Sequence, residues 1–263
     1  MDLHLKDKIA LVTGSSRGLG YATAHLLAEE GAQVFINSRN ADKVEEAVRT
    51  IHQETRARAF ALPGDVTDPT VPARLIEQAT STAGGLDILI TNAGGPPAGP
   101  FESFDDQTWQ KAVELSFLSQ VRLIRAALPY LRKSKAGSVL TITSISVKQP
   151  ILNLVLSNSI RSATIGLTKS LALELGKDGI RVNSILPAAV NTERLANLSR
   201  QRAQQKGITL EEEYARQAGD SALGRIATPE EFANAAVFLV SPAASYITGV
   251  MLQFDGGLYK ATY

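Results

Sequence analysis

Thr13-Gly14-Ser15-Ser16-Arg17-Gly18-Leu19-Gly20 follows the short apolar run Ile9 to Val12 and opens a helix. Glycines at such a turn let backbone N–H groups approach a pyrophosphate, and the helix N-terminus adds partial positive charge. The position of the turn, after the first strand of a repeating strand–helix pattern, predicts a dinucleotide phosphate site. A second signal closes the next apolar run, at Ile36-Asn37-Ser38-Arg39-Asn40. An acid at the end of a second strand would bind a ribose 2′-hydroxyl and repel a 2′-phosphate. This segment offers Ser38 and Arg39 instead. A guanidinium holds a phosphate bidentately, and Arg17 is available as a second cation. NADP(H) is therefore expected in preference to NAD(H). Further on, Ser157 and Arg161 stand at i and i+4 of a helical pattern, so both can face one site.

Composition narrows the remaining chemistry. The chain has no cysteine, which excludes disulfides, thiolate catalysis and thiolate-bound metal. Its three histidines, His4, His25 and His52, have no ligand spacing, so no metal site is expected. A formal net charge of +1 gives no electrostatic footprint for nucleic acid or an anionic membrane. The first residues, Met1 to Lys8, lack an apolar leader core. The uncharged stretch between Glu231 and Asp255 is broken by Asn234, Pro242 and Gly249, and reads as helix, turn and strand instead of a membrane span. A cytoplasmic protein acting on a small molecule is the expectation.

The elements that must position these residues alternate along the chain. Strand-length apolar runs occur at 9–12, 34–36, 59–62, 88–90, 139–142, 182–186 and 250–252. Near-continuous apolar character in short strands means burial on both faces, as in a parallel sheet. Helical patterns at 42–54, 108–132 and 157–175 lie between them. The expected fold is α/β, a Rossmann-type doubly wound parallel sheet of about seven strands, in one domain spanning 1–263. Residues 193–222 are polar and helical, split by Gly207, and are expected to form a lid. With the loop from Gly95 to Phe104, that lid should line the substrate pocket.

Taken together, these motifs resemble the short-chain dehydrogenase/reductase family over nearly the whole chain. Thr13, Gly14, Gly18 and Gly20 match its glycine pattern, and Asn92-Ala93-Gly94 matches its Asn-Ala-Gly after the fourth strand. Asp65-Val66 looks like its adenine-reading pair. The run from Pro187 to Thr192 is similar to its Pro-Gly-x-x-x-Thr, with Ala188 replacing glycine, and Thr248-Gly249 and Asp255-Gly256-Gly257 also fit. The nearest general resemblance is to 3-oxoacyl-acyl-carrier-protein reductases. The resemblance implies cofactor contacts from Gly14, Ser16, Arg17, Gly18, Leu19 and Gly20 at the phosphates. It implies others from Ser38, Arg39, Asp65 and Val66 at the adenosine. It implies further cofactor contacts from Asn92, Ala93, Gly94, Arg161, Pro187 and Thr192.

The family's common mechanism uses Asn, Ser, Tyr and Lys. Ser144 matches the serine, but Ser157 stands at the tyrosine position, Arg161 at the lysine position and Ser116 at the asparagine position. A serine hydroxyl is far less acidic than a phenol, and arginine does not relay protons as lysine does. Two readings follow: an NADP(H)-dependent carbonyl/alcohol oxidoreductase with Ser144, Ser157, Arg161 and Ser116 in an altered site, or a cofactor-binding sensor or scaffold. The resemblance also implies a homotetramer or dimer.

Overall fold

A computed structural model describes residues 1–262; Tyr263, the last residue of the expected domain, lies outside them. Seven strands form one sheet: β1 (Ile9–Val12), β2 (Gln33–Ile36), β3 (Ala59–Ala61), β4 (Ile88–Thr91), β5 (Ser138–Ile142), β6 (Arg181–Pro187) and β7 (Met251–Phe254). Their order is β3-β2-β1-β4-β5-β6-β7, and every neighbouring pair is parallel. The order reverses between β1 and β4, which opens a crevice beyond their carboxyl ends. The Rossmann-type sheet expected from the apolar runs is the one found.

The period-two alternation of the strands divides the core into two. Ala10, Val12, Val34, Ile36, Ile88, Ile90, Leu140 and Ile142 face one side. There they meet α1 (Gly18–Glu29), α2 (Ala41–Thr55) and α9 (Pro229–Val240). Leu11, Phe35, Leu89, Val139 and Val182 face the other side. Their partners are α3 (Val71–Ala83), α5 (Ser119–Leu131) and α6 (Val155–Leu175). Each strand thus buries both faces between helical layers, which explains its unbroken apolar sequence.

Local chemistry sets the helix ends. Asn40 caps α2 by accepting from Lys43 N at 2.9 Å. Thr228 and Glu231 form a reciprocal capping box at the start of α9, with Pro229 in its first turn. At the other end of α9, Arg181 on β6 donates to the carbonyls of Leu239, Val240 and Ser241 and to that of Ile247 beyond, at 2.6–3.2 Å. One guanidinium therefore satisfies the orphan carbonyls of a helix end and ties that helix to the sheet.

The pattern expected as one helix over 108–132 is two. α4 (Asp106–Val113) and α5 are joined by a π turn, Glu114–Leu118. The carbonyl of Ser116 accepts from Gln120 Nε2 at 2.7 Å and from Thr164 Oγ1 at 3.2 Å. Side chains inserted into the backbone ladder widen it by one residue, a pairing that amphipathic periodicity does not reveal.

Replacing Arg181 with Met leaves several helix-end carbonyls unpaired in a largely closed site. The variant should unfold in urea with about 2–4 kcal/mol less stability than the parent. An unchanged midpoint would show that water satisfies those carbonyls equally well.

Candidate active site

The glycine turn is stitched to the loop after β4. Thr13 N donates to Ile90 O at 3.0 Å, and Thr13 Oγ1 donates to Asn92 O at 2.8 Å. Asn92 N donates to Thr13 Oγ1, and Asn92 Nδ2 donates to Gly14 O, each at 3.0 Å. Gly14 takes φ +58°, in the left-handed region that favours glycine. At Gly20 a Cβ would lie 2.4 Å from Gly14 O and 2.9 Å from Asn92 Nδ2. The turn is tight because nothing larger than hydrogen fits at that position. Leu19 packs on the core beneath it, and Ser16 stays partly accessible above.

At the β2 end, the Ser38 hydroxyl is buried with no hydrogen-bond partner among the described residues. Arg39 is open to solvent and only 4.0 Å from Asp65, a separation too long for a strong pair at an exposed site. Asp65 instead accepts from Thr67 N at 3.0 Å and Thr67 Oγ1 at 2.8 Å, while Val66 is buried in the core below. An orphaned hydroxyl beside an exposed, weakly paired guanidinium suits a polar, anionic ligand edge. The glycine cradle and this corner together fit a dinucleotide.

The catalytic-position residues gather beyond the carboxyl end of β5. Ser144 follows that strand, and its Oγ accepts from Ser146 N at 3.1 Å. Ser157 and Arg161 lie on one face of α6, each only 8% exposed. The hydroxyl of Ser157 sits 3.5 Å from that of Ser146, not against Ser144. Arg161 Nη1 donates to the carbonyls of Ile142 and Thr143 at 3.0 and 3.1 Å. Burial, reinforced by the charge of Arg194, pulls the Arg161 guanidinium down to about 10, so it remains a cation at neutral pH. Ser116 is buried in the π turn, its hydroxyl without a partner among the described residues. Nothing in the spacing singles out Ser146, whereas Arg194, with Arg200 and Arg202, reads from the sequence as a solvated arginine in reach of an acidic substrate.

The segment expected as a lid is a helical hairpin, α7 (Glu193–Lys206) and α8 (Leu210–Asp220). Thr192 caps α7, and Gly207 ends it at φ +65°. Thr209 and Glu212 form a capping box on α8. Pro187 ends β6 beside Phe254 of β7, and the chain then reaches Thr192, whose side chain lies under 4 Å from where a Gly18 Cβ would stand. Arg17, expected at the ligand, forms an ion pair with Glu193. Arg194 Nη2 donates to Pro96 O at 2.9 Å, and its guanidinium packs closely against Gly95. Ala93 and Gly94 lead into this loop, and Gly94 borders open space.

Within the hairpin, Glu213 is fully buried. It accepts from Lys206 Nζ at 2.8 Å, Arg216 Nη2 at 3.0 Å and Gln217 Nε2 at 3.0 Å. Burial alone would raise its carboxyl, but the hydrogen bonds from Arg216, Lys206 and Gln217 outweigh that and hold it at about 2.

A family model described as Enoyl-(Acyl carrier protein) reductase matches residues 14–259. The 7alpha-hydroxysteroid dehydrogenase of Escherichia coli is 33% identical over 256 residues, covering 97% of this chain and 96% of that protein. L-sorbose reductase from Gluconobacter frateurii, solved with NADPH and L-sorbose, superposes with a TM-score of 0.94 at 33% identity, over 99% of this chain and 100% of that one. A 7alpha-hydroxysteroid dehydrogenase solved with NADH and 7-oxo glycochenodeoxycholic acid superposes at 0.89 and 33% identity, over 100% and 98% of the two chains. With the parallel sheet and the glycine cradle, these matches define the class: the chain belongs to the short-chain dehydrogenase/reductase family. No helix among the described residues is long and apolar enough to cross a membrane.

The depressed ionisation of Glu213 has a definite sign. A carboxyl held at about 2 in the fold, against 4.5 for an unperturbed glutamate, adds stability above about pH 4.5 and loses it as pH falls toward 2. The gap in urea midpoint between the parent and Glu213→Gln should therefore be full near neutral pH and should narrow over that acidic window. A gap independent of pH would contradict the ion-paired arrangement.

Proposed function

We propose that this protein is an NADP(H)-dependent oxidoreductase interconverting a carbonyl and an alcohol. The observation that carries the reading is the glycine cradle, Gly14 to Gly20, locked by Asn92 beside the reversal in strand order. When bound, the nicotinamide gives or takes a hydride at the substrate carbon. The backbone N–H groups of the turn and the N-terminus of α1 suit the pyrophosphate. Arg39 and the unpartnered Ser38 hydroxyl suit a 2′-phosphate, with Arg17 joining them once it leaves Glu193.

At the reacting end, Ser144 hydrogen-bonds the carbonyl oxygen. Arg161, anchored to the carbonyls of Ile142 and Thr143, is the fixed positive charge that stabilises negative charge developing on that oxygen. Neither serine nor arginine is an acid near neutral pH, so the proton that completes reduction comes from water, passed along the Ser157 and Ser146 hydroxyls. Ser116, in the π turn, supports α6 through its carbonyl bond with Thr164. The α7–α8 hairpin is the lid of the site, with the Arg17–Glu193 pair holding it over the glycine turn.

Titration with NADPH and NADH tests this reading. NADPH should bind the tighter, and Arg39→Asp should shift the preference toward NADH by about tenfold or more. Folded protein that binds neither dinucleotide would refute the reading. Binding without turnover of any carbonyl would favour a cofactor-responsive sensor or scaffold.

We also infer a homotetramer, or a dimer. Supporting this, Leu173 on α6 is 76% exposed on a helix whose other face is core. Sedimentation should give a species of at least two chains at micromolar concentration, and a monomer would sink the inference.

A further inference from the structure

Three of the segments that border the crevice carry no acid. No Asp or Glu occurs from Ile88 to Phe101, from Ser138 to Leu173 or from Arg181 to Thr192, the segments that leave the carboxyl ends of β4, β5 and β6. Two arginines reach the same place. Arg161 is anchored on the carbonyls that end β5, and Arg194 on the Gly95–Pro96 loop that follows β4. β4 and β5 are neighbours in the sheet, pairing Thr91 with Thr141, and the charge of Arg194 acts on Arg161 closely enough to lower its ionisation.

Both cations lack a counterion. Among the described residues neither Arg161 nor Arg194 pairs with a carboxylate. Glu193, the nearest acid in sequence, is taken by Arg17. Arg161 is 8% exposed, and only its Nη1 is hydrogen-bonded; its Nε and Nη2 groups have no partner among the described residues. Those two donors are not among the sealed unpartnered atoms, so they open on the crevice, where an anion can replace water on them. Arg194 stands at the solvent-accessible mouth and Arg161 at the floor, with the hydroxyls of Ser144, Ser146 and Ser157 beside it.

We propose that the substrate of this site is a carboxylate-bearing carbonyl compound, an oxo acid or the matching hydroxy acid, whose carboxylate is held between Arg161 and Arg194. This rests on the crevice being the reaction site proposed above. Arg194 is the specificity-determining residue. It meets the anion on entry, and its planar fork matches a carboxylate. The glycine at position 95 lets the guanidinium pack closely, since a Cβ there would stand 2.7 Å from Arg194 Nη2.

The test compares phenylglyoxylate with its uncharged amide, by calorimetric titration of the full chain with and without saturating NADPH. The parent protein should bind the acid about ten- to a hundredfold more tightly than the amide. Arg194→Gln should remove most of that preference while leaving NADPH affinity unchanged. Arg194→Lys, which keeps the charge, should restore part of it, whereas loss of the Pro96 contact alone would leave both variants equal. Equal binding of acid and amide by the parent would overturn the proposal. So would an Arg194→Gln variant that loses NADPH affinity and keeps the acid preference, because the cofactor phosphates would then be the missing counterion. Acid preference without any NADPH binding would uphold the anion site and refute the redox reading, so the two fail separately.

Discussion

The contact on which the site depends is the junction between the loops after β1 and β4. Thr13 and Asn92 exchange backbone and side-chain hydrogen bonds there, and Asn92 closes onto the Gly14 carbonyl. That junction exists only because β1 and β4 are neighbours, and they are neighbours because the strand order reverses at β1. Each partner leaves the other no room, since a side chain at Gly20 would strike both Gly14 and Asn92. The geometry of the phosphate cradle is thus imposed by sheet topology, with the glycines permitting it.

The same economy governs the reacting end. Arg161 spends one nitrogen on two strand-end carbonyls, which fixes its position and leaves the rest of its fork for a ligand. A lysine could move and exchange its proton; a guanidinium anchored in this way is a stationary charge. In the proposed reaction, electrostatic preorganisation takes the place of acid–base chemistry at this position. Arg181 uses the same side-chain chemistry for a structural end, satisfying the last carbonyls of α9 and leaving little for any ligand. Both terminal nitrogens of Arg181 are occupied by carbonyls, whereas only one of Arg161 is.

The hairpin over the crevice shows how a polar segment acquires rigidity. α7 has little apolar surface, burying Leu195 and Ala203 with Ser199. Its coherence comes from Glu213, buried among Lys206, Arg216 and Gln217, and from caps at Thr192 and Thr209. Such a network resists wetting while it is complete and weakens as a whole when one member is neutralised. The Arg17–Glu193 pair is different in kind, lying in solvent where screening makes it easy to break. A firm hairpin on a weak latch suits the lid role proposed for it.

The seven strands, the alternation of helices and the glycine turn were legible in the sequence, because apolar periodicity and turn chemistry are local properties. So was the helix end at Gly207, where glycine suits the left-handed backbone. Tertiary structure alone decided the rest. It broke the 108–132 helix at a π turn, where Thr164, 48 residues further along the chain, and Gln120 both reach the Ser116 carbonyl. It set Ser157 against Ser146, and it turned Arg17 from a free cation into the partner of Glu193. It carried Arg194 across 98 residues of chain to the Pro96 carbonyl. Local sequence specifies elements through backbone preference and burial pattern. Which charges face one another is a long-range consequence of strand order, and it appears only once the sheet is assembled.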